Sequence, residues 1–151
     1  MLKAVRLISP RFVNKAFVGE GARLYGGRWN SKGTPIVYTS SSLALAALEM
    51  LVHLGSTDLL EGPFVYITAS VDEKDITEPD PAALSENWKD DERITKKIGD
   101  DWVNGGASLV FKVPSVVIPE EPNYLINPKH PDADTLTLSD PKPFEFDPRL
   151  G

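Results

Sequence analysis

The chain has 151 residues, 41% of them hydrophobic and 25% charged, with a formal net charge of −6 and a pI near 4.9. That length fits one domain whose core buries roughly two thirds of the unfolded surface, and the acidic balance argues against binding nucleic acid through bulk electrostatics. The absence of cysteine excludes disulfides and thiolate catalysis, two histidines are too few for a His-rich metal site, and no apolar run approaches the roughly 18 residues of a membrane span.

The N-terminal stretch MLKAVRLISPRF is interrupted by Arg6 and lacks a long apolar region or a cleavage site, so it reads as mature structure of a cytoplasmic protein. Within it, residues 4–8 (AVRLI) are a strand candidate ended by Ser9-Pro10, and residues 35–39 (PIVYT) are a second. The run SSSLALAALEMLVHLG reads as a helix capped by Ser40, Ser41 or Ser42 and closed by Gly55. Its body is apolar on nearly every face, which predicts burial.

Residues 64–71 (FVYITASV) give a third strand, and the segment from Glu78 to Lys97 reads as a surface excursion, helix-permissive only over Asp90 to Lys97. Leu109 to Val113 and Val116 to Ile118 are strand candidates separated by Pro114-Ser115, a dipeptide that interrupts a ladder and can turn a hydroxyl inward. The last thirty residues are rich in proline but carry Tyr124, Leu125, Ile126, Phe144 and Phe146, so they are expected to pack on the domain.

Glu49 is the most informative single residue. A carboxylate in an apolar helix must find a partner, and the neighbours at helical spacing are Leu45, Ala46 and Val52. A structural ion pair with Arg6 or Arg28 is the alternative to a catalytic role. Arg28 follows Gly26 and Gly27 in GGRWN, a setting in which an arginine can hold phosphate or carboxylate by its planar fork, or simply pair on the surface. Tyr38 ends a strand just before the helix, where its ring could stack on a flat ligand or belong to the core.

His53 lies four residues after Glu49 and is set outside the catalytic residues. Ser115 lacks the G-x-S-x-G context of a hydrolase nucleophile, leaving a hydrogen-bonding role. The stretch GEGARL fails as a dinucleotide fingerprint because Leu24 stands where a third small residue is needed and no strand precedes Gly19.

The blocks GEGARLYGGRWNSKGTPIVYTSSSLALAALEMLVHL, GDDWVNGGASLVFKVPSVVIPEEPNYLINPKHPD and PFEFDPRL, in that order along nearly the whole chain, resemble the RES domain, a family of bacterial toxins encoded beside an Xre-like antitoxin. The resemblance implies an α+β fold, a mixed, mostly antiparallel β core with surrounding helices, similar to the ADP-ribosyltransferase fold. It implies an enzyme that consumes NAD by phosphorolysis or hydrolysis of the nicotinamide–ribose bond, or that transfers ADP-ribose to a protein. NAD is then substrate, phosphate a candidate co-substrate, and no cofactor or metal is required.

Carried onto matching positions, the implied site is Arg28, Tyr38 and Glu49 as catalytic residues, with Arg6 and Ser115 binding substrate. In this reading the arginines hold phosphate and meet Glu49 in one pocket, Glu49 faces the ribose, Tyr38 stacks on a ring, and Ser115 orients the ribose or amide. The implied partner is the Xre-like antitoxin, with a homodimer allowed within that complex and any DNA contact made by the antitoxin. A non-catalytic module serving a DNA-binding partner is the competing class.

Overall fold

Strand alternation sets the architecture. In β1 (Leu2–Ile8), Val5 and Leu7 point to one face while Ala4, Arg6 and Ile8 point to the other, and both apolar sets are buried. The sheet must therefore be covered on both sides. The computed structural model describes residues 1–54 and 62–150, so Gly55, the expected helix stop, lies outside the described residues.

Among the described residues the strands form one eight-stranded sheet. These are β1, β2 (Val37–Ser40), β3 (Phe64–Val71), β4 (Ile76–Thr77), β5 (Val110–Pro114), β6 (Pro122–Ile126), β7 (Thr137–Leu138) and β8 (Lys142–Phe144). The order is β4-β5-β6-β2-β1-β3-β7, with β8 also on β3, and every pairing is antiparallel except β4 with β5. Three α-helices accompany it among the described residues: α1 (Glu20–Tyr25), α2 (Leu43–Leu54) and α3 (Glu92–Gly105). This is the mixed, mostly antiparallel α+β core expected.

Helix α2 starts where Ser42 Oγ accepts from the Leu45 amide at 3.0 Å, which identifies the N-cap among the three serines. It lies on the Val5/Leu7 face, packing Ala46, with Leu43, Ala47, Met50 and Leu51, against Val5, Leu7, Phe64 and Phe146. Full burial, as its composition suggested, does not occur. Only Leu45 and Ala46 are buried, while Leu48 and Val52 remain 38% and 68% exposed, because a helix resting on one sheet face has one side to bury.

Three further expectations are corrected. The helix expected over Asp90 to Lys97 runs to Gly105, capped by the Asp91 side chain on the Arg93 amide and stopped by Gly106 at φ 66°. Val116 to Ile118 is a turn, because the Val117 and Ile118 amides donate to Ser115 Oγ instead of to a ladder. The strand lies further on as β6, inside the proline-rich tail, with Tyr124, Leu125 and Ile126 buried between β2 and β5. Among the described residues, no helix is long and apolar enough to cross a membrane.

Candidate active site

Register across the central strands places the site. Ser40 of β2 pairs with Asn123 of β6, and Tyr38 with Leu125, so Tyr38, Ser40, Asn123 and Leu125 share the face on which α2 and α3 lie. Tyr38 and Asn123 are diagonal neighbours, which puts their Cα atoms about 7–8 Å apart. Each anchors one half of the site: Asn123 holds Glu49, and Tyr38 holds the turn that carries Arg28.

Glu49 lies midway along α2, with Oε1 accepting from Ser115 Oγ and from Asn123 Nδ2, both at 2.7 Å. Its partners are thus two neutral donors, and among the described residues no arginine lies within ion-pair distance of it. Oε2 takes no hydrogen bond from the described residues. His53 is exposed on the last turn of the helix.

Ser115 is fully buried, and its hydroxyl is saturated: two backbone amides donate to the oxygen at 3.1 Å while its proton goes to Glu49. This hydroxyl, expected to bind substrate, is turned toward the Glu49 carboxylate. Its proton and both lone pairs are engaged within the chain, and it holds Glu49 Oε1.

The GGRWN turn is held from three sides. Gly27 and Asn30 close it through reciprocal backbone hydrogen bonds, and Asn30, fully buried, donates from Nδ2 to the carbonyls of Ala22, Ser31 and Thr34. From β2, the Tyr38 hydroxyl donates to Asn30 Oδ1 at 2.6 Å and accepts from the Trp29 amide at 2.9 Å. From α3, Thr95 Oγ1 donates to the Arg28 carbonyl at 2.6 Å and Asp100 Oδ1 accepts from the Ser31 amide at 2.9 Å. Two glycines make room: a Cβ on Gly27 would stand 2.7 Å from the Tyr38 hydroxyl, and one on Gly99 would overlap the Trp29 carbonyl.

Burial drives the Tyr38 phenol far above its ordinary pKa, so it stays a neutral donor. Its oxygen is a latch for the turn. Arg28 itself donates from Nη1 to the Lys89 carbonyl at 2.8 Å and stands 3.8 Å from Glu92, which is 57% exposed. So loose and solvated a pair contributes about 0–1 kcal/mol and yields readily to a stronger anion.

Arg6 occupies a different position from the one expected. Val5 and Leu7 face α2, so Arg6 belongs to the opposite row of β1, and its Nη1 donates to the Tyr38 carbonyl at 2.9 Å. β1 and β2 pair only at Val5 with Ser40, and Arg6 spans the parting beyond it. Its Nε is sealed without a partner among the described residues, and burial lowers its pKa to about 10. The three charges expected to meet in one pocket do not touch. Two hollows of about 280 and 260 Å³ are lined by Phe17, Ile67 and Leu138 and by Glu73, Glu78 and Lys112, and neither borders Glu49 or Arg28.

Sequence reasoning missed Asn123, Asn30, Thr95 and Gly99. The two asparagines stand inside the GGRWN and NYLINP blocks and could have been singled out there. Thr95 and Gly99 had no local signal, since their importance lies in what α3 approaches.

Residues 3–147 match the family model described as the RES domain. "Toxin Res" of Yersinia enterocolitica is 37% identical over 148 residues, 96% of this chain and 97% of that protein. "Prs ADP-ribosylating toxin" of Sphingobium sp. is 38% identical over 136 residues, 87% of this chain and 84% of that one. Among solved structures, the M. tuberculosis MbcT–MbcA toxin–antitoxin complex contains a chain that superposes with a TM-score of 0.78 at 19% identity, covering 99% of this chain and 86% of that chain, a likeness of fold.

Proposed function

The chain belongs to the RES domain family, and from that premise we propose that it is the toxin of a toxin–antitoxin pair and cleaves the nicotinamide–ribose bond of NAD. The observation that carries this reading is Glu49: a carboxylate turned by two neutral donors, with no cation neutralising it and one oxygen left unengaged among the described residues. Such a group suits the stabilisation of a developing positive charge, since an ion pair would have spent its field on the partner.

In the proposed reaction the bond between ribose C1′ and the pyridinium nitrogen breaks heterolytically. Its electron pair leaves with neutral nicotinamide, and the ribose becomes oxocarbenium-like opposite Glu49. An acceptor oxygen then bonds to C1′: phosphate yields a phosphorylated ADP-ribose, and water yields ADP-ribose and a proton. Arg28, displayed from a rigid turn and only loosely paired, is suited to a phosphate oxygen of the dinucleotide. Arg6, with no carboxylate beside it among the described residues, offers positive charge at the parting of β1 and β2. Tyr38 and Ser115 act by positioning.

Transfer of ADP-ribose to a protein is the second reading, favoured by the name of the Sphingobium relative. Both begin with the same cleavage. An antitoxin partner is supported by the assembly named for the M. tuberculosis neighbour; an Xre-like antitoxin, and a homodimer within the complex, remain parts of the proposal. The test is incubation of the purified chain with NAD, with and without phosphate and with a candidate protein acceptor, reading free nicotinamide and the mass of the ADP-ribose product. Nicotinamide release supports the proposal, and its absence under all three conditions overturns it.

A further inference from the structure

Asn123 donates from Nδ2 to Glu49 Oε1 at 2.7 Å, while its own carbonyl Oδ1 is sealed from solvent without a hydrogen-bond partner among the described residues. An ionised carboxylate only accepts, so the amide has one workable orientation: the nitrogen faces Glu49 and the oxygen is forced into the unpartnered place. The residue is 8% exposed, and an orphaned acceptor so deep is disfavoured in native proteins unless something else requires it. An apolar residue at this position would carry no such penalty.

What the asparagine provides is a second direction of hold on one oxygen. Ser115, at the end of β5, and Asn123, on β6, reach Oε1 from different strands, which fixes the plane of the carboxylate as one hydrogen bond could not. Neither donor is charged, so neither neutralises the group.

We propose that Asn123 is a positioning residue for bond cleavage: with Ser115 it locks Glu49 through Oε1 and aims Oε2 at the ribose, and its orphaned carbonyl is the stability surrendered for that aim. The inference rests on the reading of Glu49 as the carboxylate that faces the ribose. It assigns a role to a residue that touches the reaction only through Glu49.

The test uses the full chain as wild type, Asn123→Leu and Asn123→Asp, with thermal unfolding, steady-state nicotinamide release from NAD, and crystal structures of each. Asn123→Leu is expected to unfold no lower than wild type, because the orphaned carbonyl leaves with the amide, while kcat falls about 10- to 100-fold. KM for NAD should change by no more than about threefold, since the lost interaction acts in the transition state. Asn123→Asp keeps the shape but sets a second carboxylate against Glu49, and should lose at least as much kcat.

A wild-type kcat in either variant would overturn the proposal, as would an Asn123→Leu protein that unfolds well below wild type, which would assign Asn123 to the fold. If wild type itself releases no nicotinamide, the functional reading fails on its own, and the crystal structures decide the rest. A Glu49 carboxylate rotated or split between conformers in Asn123→Leu supports the positioning role, and a single unchanged conformer overturns it.

Discussion

Arg6 Nη1 donates to the Tyr38 carbonyl at 2.9 Å, at the place where β1 and β2 cease to pair. The contact ties a desolvated cation to a neutral acceptor with no carboxylate in range among the described residues, so the fold bears the cost of an uncompensated charge. Arg6→Met keeps length and removes charge, and should raise stability by about 1 kcal/mol while lowering NAD consumption. Burial lowers the guanidinium from 12.5 to about 10, so the penalty is fully present below that pH and is relieved only as pH rises through it. The gain should therefore be equal near pH 6 and near pH 9, as urea unfolding at both would show; a loss of stability in Arg6→Met would contradict this account.

Tyr38→Phe separates the two roles open to that residue. The ring survives, but Asn30 Oδ1 and the Trp29 amide lose their shared partner, which should cost about 1–3 kcal/mol. Because the latch orients the turn bearing Arg28, nicotinamide release should fall at temperatures where the variant is fully folded. Full activity in Tyr38→Phe would return the role to ring stacking.

Gly99→Ala tests the approach of α3 to the GGRWN turn. The added methyl meets the backbone carbonyl of Trp29, which cannot rotate away as a side chain would, so helix and turn must separate. The variant should lose about 2–3 kcal/mol on chemical denaturation, with activity falling because Thr95 and Asp100 move with the helix. Unchanged stability would mean that the turn yields freely.

These residues also show how far the sequence could be read. Strands β1 to β3 and the start of α2 were legible, since alternation, proline stops and a serine cap are local signals. The second half of α3 was not, because its inward face includes Gly99, which breaks the apolar period where the helix touches the turn. β6 was hidden by its prolines, although Leu125 and Ile126 lie at the centre of the sheet. Glu49 was recognisable as a charge needing partners, but which partners depended on register: pairing of Ser40 with Asn123 brings β6 beneath it, a relation between positions far apart in the chain. The same register turns Arg6 away, a consequence of Val5 and Leu7 seeking α2.

The most direct measurement is nicotinamide release from NAD by wild type and by Glu49→Gln, compared after thermal unfolding has established that both are folded. The substitution keeps the shape of the side chain and an oxygen for Ser115 and Asn123 while removing the negative charge. Release should fall by at least about a hundredfold with little change in KM, as expected when charge stabilisation in the transition state is lost. Equal turnover by the two folded proteins would contradict the assignment of Glu49 as the carboxylate that supports the ribose cation.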